Sequence, residues 1–219
     1  MIKDDWYRNR SWNGKIDSYF EDQFKRSRGA ANKAEYLQVQ GSILLDNPNG
    51  NIQEVGVSLL SRLFDDFASE YAGVIPAQEK LGDFYLKHKN YKQAEHYFRL
   101  VTNYCIHQNS RTGTSTMADL KLAEAILRTN QPLLLPEAYQ LVINYPASLL
   151  KLNDTQFYYA ELAAQVCDIM NKKNEAKEFA ITAIALSKKA RPLFARHKTD
   201  RAGKLSELQL RTLHEISIV

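Results

Sequence analysis

The chain is poor in the residues that make tight turns. Nine glycines and six prolines are spread over 219 residues, and they do not recur at the short spacing that a sheet of hairpins demands. That scarcity points away from strands and towards helices. Cysteine is scarcer still. Cys105 and Cys167 cannot build a disulfide framework and read as small buried thiols rather than redox or metal groups. Long apolar runs are missing too: no window approaches the roughly 18 apolar residues that mark a membrane-spanning helix. The opening MIKDDWYRNRSWNGK has no apolar centre of the signal-peptide kind. The expectation is a soluble protein of the cytoplasm that meets no membrane.

Chemistry-bearing motifs are absent as well. None of the five histidines stands in an H-E-x-x-H or similar spacing, and Cys105 with His107 lacks further ligands nearby. His88 and His96 read as surface residues of a helical hairpin. The segment RTGTS (111–115) has one glycine and no following Lys-Ser/Thr, so it is no phosphate cradle; a Thr or Ser there is expected to cap the next helix. No Gly-x-Ser-x-Gly elbow occurs. No enzyme, cofactor or metal is expected, and no catalytic residue is assigned.

What the chain does have is a recurring pattern of small residues flanked by large apolar ones at helical spacing. In KLGDFYLKHKNYKQAEHYFRLVTNYC (80–105), Leu81 and Tyr85 form a stripe beside Gly82, and Tyr91, Ala94, Phe98 and Val101 form the facing one. The turn KHKN is too short for anything but an antiparallel hairpin. The pattern returns at 157–186, with Ala160, Ala163, Ala164 and Cys167 opposite Ala176, Ala180 and Ala183. It returns at 117–145, with Leu122, Ala123 and Ile126, then Ala138, Val142 and Tyr145; there Pro136 is placed to open a helix. Upstream, 35–64 has Gly41 and Leu44, the turn DNPNGN, and then Gly56, Leu60 and Leu63. Four hairpins about 40 residues apart predict an all-α fold, an α-solenoid of antiparallel helix hairpins.

Residues 75–108 resemble the tetratricopeptide-repeat family, through Leu81-Gly82, Tyr85, Tyr91, Ala94 and Phe98. The match is weaker over 157–190, and 35–64 and 117–145 fit only with insertions. Gln78 replaces the family's usual aromatic, and Ile106 its usual closing proline. The N-terminal region also looks like the start of a set of bacterial helical-repeat proteins. The resemblance implies a right-handed solenoid that binds protein and catalyses nothing. The whole of 1–219 then reads as a single domain. Residues 1–30 hold an aromatic segment and a capping helix with Ile16, Phe20 and Phe24 on one face. The four hairpins span 31–190, and 191–219 holds a basic connection and a C-terminal helix with Leu205, Leu208, Leu213 and Ile216.

In such a solenoid the first helix of each pair lines a concave face. At about 100° per residue, the side opposite the Leu-Gly position carries Glu79, Asp83 and Leu86, then Leu120, Glu124 and Leu127, then Glu161, Gln165 and Asp168, with Gln38, Ser42 and Leu45 in the first hairpin, where Gln40 is taken as the Leu equivalent. Lys87 and Arg128 stand at the edge. Five carboxylates and no Lys or Arg fall among these twelve positions. Two readings stay open: ordinary solvated helix surface, or an acidic groove for a basic protein or peptide that disfavours nucleic acid. The segment 188–204 holds seven Lys/Arg and one Asp. It could be a solvated connection, a contact to an acidic protein or to phosphates, or a strand of charge folding back on the groove. Two alternative contacts are therefore kept: the basic segment, with Lys188, Lys189, Phe194, Arg196 and Lys198, and the aromatics Trp6, Tyr7 and Trp12, which otherwise plug the end of the array. The favoured function is a non-enzymatic protein-binding module, acting as an adaptor, a chaperone-like holder or an immunity protein. The alternative is an RNA-binding helical repeat that uses 188–204. The sequence does not set the oligomeric state.

Overall fold

The computed structural model describes residues 5–188 and 207–218. They form ten α-helices, two short 3-10 turns and no strand among the described residues. Contacts divide the chain into two compact units, Met1–Ala118 and Asp119–Val219.

The N-terminal unit begins with α1 (Gly14–Arg26), whose first turn is closed by the Asn13 side chain accepting from the Lys15 and Ile16 N–H groups. Two hairpins follow, α2 (Ala30–Leu45) with α3 (Gly50–Asp66), and α4 (Tyr71–Lys87) with α5 (Tyr91–His107). Each pair packs together, and α2 also packs on α4, so the hairpins stack through their first helices. Helix α4 starts at Tyr71, four residues ahead of the stretch 75–108 that resembles the repeat, and contains Pro76. The proline lacks the N–H that would bond the Ala72 carbonyl, and Ala72 is exposed.

The turns explain themselves locally. In the first, Asn49 caps α3 through the Asn51 N–H, while the Gln53 amide donates to the Leu45 and Asn47 carbonyls at the end of α2. After α4, Lys89 takes a left-handed conformation (φ 60°), the Asn90 N–H bonds back to the Tyr85 carbonyl, and the Asn90 side chain caps α5. The core of this unit joins Phe20 and Phe24 of α1 to Leu37, Leu44, Leu60, Leu63 and Leu81.

The C-terminal unit holds α6 (Ala118–Thr129, begun at the boundary), α7 (Leu135–Ile143), α8 (Asn153–Ile169), α9 (Lys173–Ser187) and α10 (Glu207–Ile218). Pro136 lies in the first turn of α7, as its fixed φ favours. Helices α8 and α9 form a hairpin whose turn repeats the left-handed device, with Asn171 at φ 55° and the Lys172 N–H on the Cys167 carbonyl. Helix α10 packs on α9 and α8, burying Leu213 and Ile216 among the alanines. Leu208, expected in the same stripe, is 70% exposed. Five residues separate it from Leu213, about 140° round the helix, which puts the two on different faces. Leu205 lies outside the described residues.

Candidate functional site

The predicted inner-face positions are found in two unequal sets, one in each unit. In the N-terminal unit, Glu79 is 6% exposed rather than open to solvent. The loop after α5 covers it: the Ser115 N–H donates to one carboxylate oxygen at 2.8 Å and the Ser115 hydroxyl to the other. The same hydroxyl accepts from the Met117 N–H just before α6, a local turn ahead of the helix. The signal for this was in the RTGTS run, whose hydroxyls bond locally (Thr114 Oγ1 accepts from the Thr116 N–H), with Gly113 and Thr116 at positive φ. Asp83 and Leu86 remain partly accessible, and Lys87 is exposed. With Leu45 and Phe84, Asp83 and Lys87 line a small hollow of about 70 Å³. It is bridged by Lys80, whose ammonium holds both Asp46 oxygens at 2.7 and 2.8 Å. Gln38 bonds Ser42 on the neighbouring face of α2.

In the C-terminal unit, Leu120 and Leu127 are buried, not displayed. Helix α6 buries Leu120, Leu122, Ala123, Ala125, Ile126 and Leu127, so its apolar surface runs round most of the helix instead of forming one stripe. Glu124 stays partly accessible, as does Lys121 one turn before it, with Arg128 beside Glu124 at 3.8 Å. The Tyr158 hydroxyl of α8 donates to the other Glu124 oxygen at 2.7 Å. One turn along α8, Glu161 accepts from the Gln209 amide of α10 at 2.9 Å. Burial pushes the Glu161 carboxyl above its ordinary value, and the Glu124 charge adds to that; Gln209 and the Arg128 charge pull it back. Two carboxylates on α6 and α8 thus sense a single guanidinium. Further along α8, Gln165 is half-buried, and Asp168 pairs with Lys173 at 2.8 Å.

The N-terminal aromatics are packed inward. Trp6 sits edge-on to Tyr36 and against Phe20, Tyr7 against Tyr36, and Trp12 edge-on to Phe20. The segment is also tied by a contact that sequence reasoning missed. Gln40, fully buried on α2, accepts from the Asn9 N–H at 2.9 Å and donates to the Asn9 carbonyl at 2.8 Å. A glutamine in the Leu position of a small-residue crossing was the only sign of it, since a buried amide demands polar partners. Of the basic alternative, Lys188 is exposed at the end of α9; Lys189, Phe194, Arg196 and Lys198 lie outside the described residues.

Both cysteines are buried. Desolvation, reinforced by nearby Glu175, pushes the Cys167 thiol up to about 12; a thiol held protonated at neutral pH is a poor nucleophile. Among the described residues, no three His, Cys, Asp or Glu side chains converge as a metal site requires, and no helix is long and apolar enough to cross a membrane. No family model, curated protein or solved structure matches the chain.

Proposed function

We propose that the chain is a non-enzymatic protein-binding module of the cytoplasm, built from tetratricopeptide-like hairpins in right-handed stacking with α1 and α10 as caps. It takes a basic segment of a partner protein on the accessible acidic face of α6 and α8. The observation that carries this reading is the pair Glu124 and Glu161. The two carboxylates share one arginine, Arg128, which leaves net negative charge on a partly desolvated surface where a cation gains most. Tyr158 and Gln209 hold the two side chains in place, so little ordering is left to be done on binding. Asp168 extends the acidic strip, and Asp83 with Leu86 offers a smaller contact in the N-terminal unit. Glu79, Leu120 and Leu127 act in the core rather than in recognition.

The test starts from capture of the natural partner from the native host with mass spectrometry, followed by association kinetics of the recovered protein. Glu124→Gln with Glu161→Gln keeps both hydrogen-bond acceptors and removes the charge. Association should slow about tenfold or more at low salt, with a flatter salt dependence, while the protein stays folded. Neutralising Lys188, Lys189, Arg196 and Lys198 should leave association nearly unchanged. The opposite ranking, or retention of RNA that falls steeply with salt, would replace this reading by the RNA-binding one.

A further inference from the structure

Helix α10 meets the acidic face of the C-terminal unit at one residue. Its Leu213 and Ile216 are buried on the alanines of α8 and α9. One turn before Leu213, Gln209 donates to Glu161 at 2.9 Å. The helix has 12 residues, a length at which an isolated helix is marginal in water, so its order depends on docking. Glu161 therefore serves two neighbours. Its carboxylate feels the charges of Glu124 and Arg128 on α6, where Lys121 is also partly accessible, and it accepts the Gln209 amide from α10. Of the other helices packed on α8, α7 brings Tyr139 and α9 brings Glu175. Those two bond each other beside Cys167, away from Glu161.

Taking the acidic face of α6 and α8 as the partner site, as proposed above, we infer that a cation seated there tightens the docking of α10, with Glu161 as the link. The Gln209 amide replaces water at a Glu161 oxygen when α10 docks, and a charged carboxylate resists losing water unless something neutralises it. Gln209 offsets part of that penalty and Arg128 another part, but Arg128 is shared with Glu124. The raised carboxyl of Glu161, whose first cause is burial, agrees in direction. An ammonium or guanidinium of the partner beside Glu161 acts as a proton would and removes what remains of the penalty. Linkage makes the effect reciprocal: docked α10 raises the affinity of the face for the cation by the same factor. Binding of a basic segment thereby completes the alanine hairpin, whose core is closed by Leu213 and Ile216.

The test uses the full chain with hexalysine as the probe cation. Fluorescence anisotropy of the labelled peptide gives its affinity, and amide NMR shifts on α6 and α8 locate it. Hydrogen exchange of the Leu213 and Ile216 amides reports on α10. At saturation these amides should exchange about fivefold more slowly, the low end of typical couplings between sites, while those of α2 stay as they were. Glu161→Gln keeps the acceptor for Gln209 without the charge. Its α10 should be better protected from the start and gain nothing further from the peptide. Glu124→Gln should bind the peptide more weakly yet show the full slowing once saturated. Hexalysine that does not bind, or binds away from α6 and α8, would take down the acidic-face reading and the coupling with it. Hexalysine that binds there without slowing α10, or slows it equally in Glu161→Gln, would overturn the coupling and leave the face standing.

Discussion

The hairpin crossings of the two units solve one problem in two ways. In the N-terminal unit the helices meet at glycines, each keyed by a large residue or by backbone. A Cβ on Gly82 would stand 2.6 Å from the Phe98 ring, one on Gly41 2.6 Å from Leu60, and one on Gly56 2.9 Å from the Gly41 carbonyl and 3.0 Å from the Leu45 nitrogen. In the C-terminal unit, α8 and α9 meet on alanines: Ala160 and Ala164 with Cys167 on one side, Ala176, Ala180 and Ala183 on the other, all buried. An alanine crossing has no large key of its own. The volume is completed by Leu213 and Ile216 of α10, with Phe157, Phe179 and Tyr139 around them. The first kind of hairpin carries its own packing, whereas the second needs a third helix.

The largest effect expected from this contrast is at the glycines. Gly82→Leu and Gly56→Leu should each cost about 3 kcal/mol or more, at or beyond the top of the usual overpacking range, read by urea denaturation. Phe98→Leu should partly rescue Gly82→Ala, because the two share one contact, and a double-mutant cycle measures that coupling. A fully stable Gly82→Leu protein would remove the keyed crossing. Next comes Leu213→Ala, which opens a cavity where α10 closes the alanine hairpin and should cost about 2–4 kcal/mol. A near-neutral result would mean that α8 and α9 stand without α10.

Smaller and pH-dependent is Glu161. Its folded carboxyl titrates above the ordinary value because burial penalises the charge, so the folded state holds its proton more tightly than the unfolded chain does. The charge penalty is absent below the ordinary carboxylate range and complete above the raised folded value. Glu161→Gln should therefore gain stability relative to wild type as pH rises through that window, and lose the advantage in acid. Denaturation at several pH values checks it; a gain that grew towards low pH would contradict the sign. The smallest change is Gly50→Ala at the first position of α3, where a Cβ meets nothing. It should shift stability by no more than about 0.5 kcal/mol, upward if at all. A glycine outside the crossings that behaved like Gly56 would blur the comparison.

Much of the architecture was legible in the sequence. The helix content, the positions of the α2–α3, α4–α5 and α8–α9 hairpins, the Asn and Pro signals at helix ends and the small residues at the crossings follow from a period of 3.6 and from residues whose backbone preferences are local. The same period misjudged what covers a face. It put Glu79 opposite Leu81 but could not show Ser115 arriving over it; it put Leu120 and Leu127 opposite Leu122 and Ala123 on a helix whose burial is not one-sided. It also read Gln40 as a stand-in for leucine, where Asn9 supplies the partners that make the amide tolerable. Helical periodicity fixes the direction of a side chain relative to its own axis. Whether another segment lies in that direction is set by contacts 30 or more residues away, and only the tertiary structure decided those.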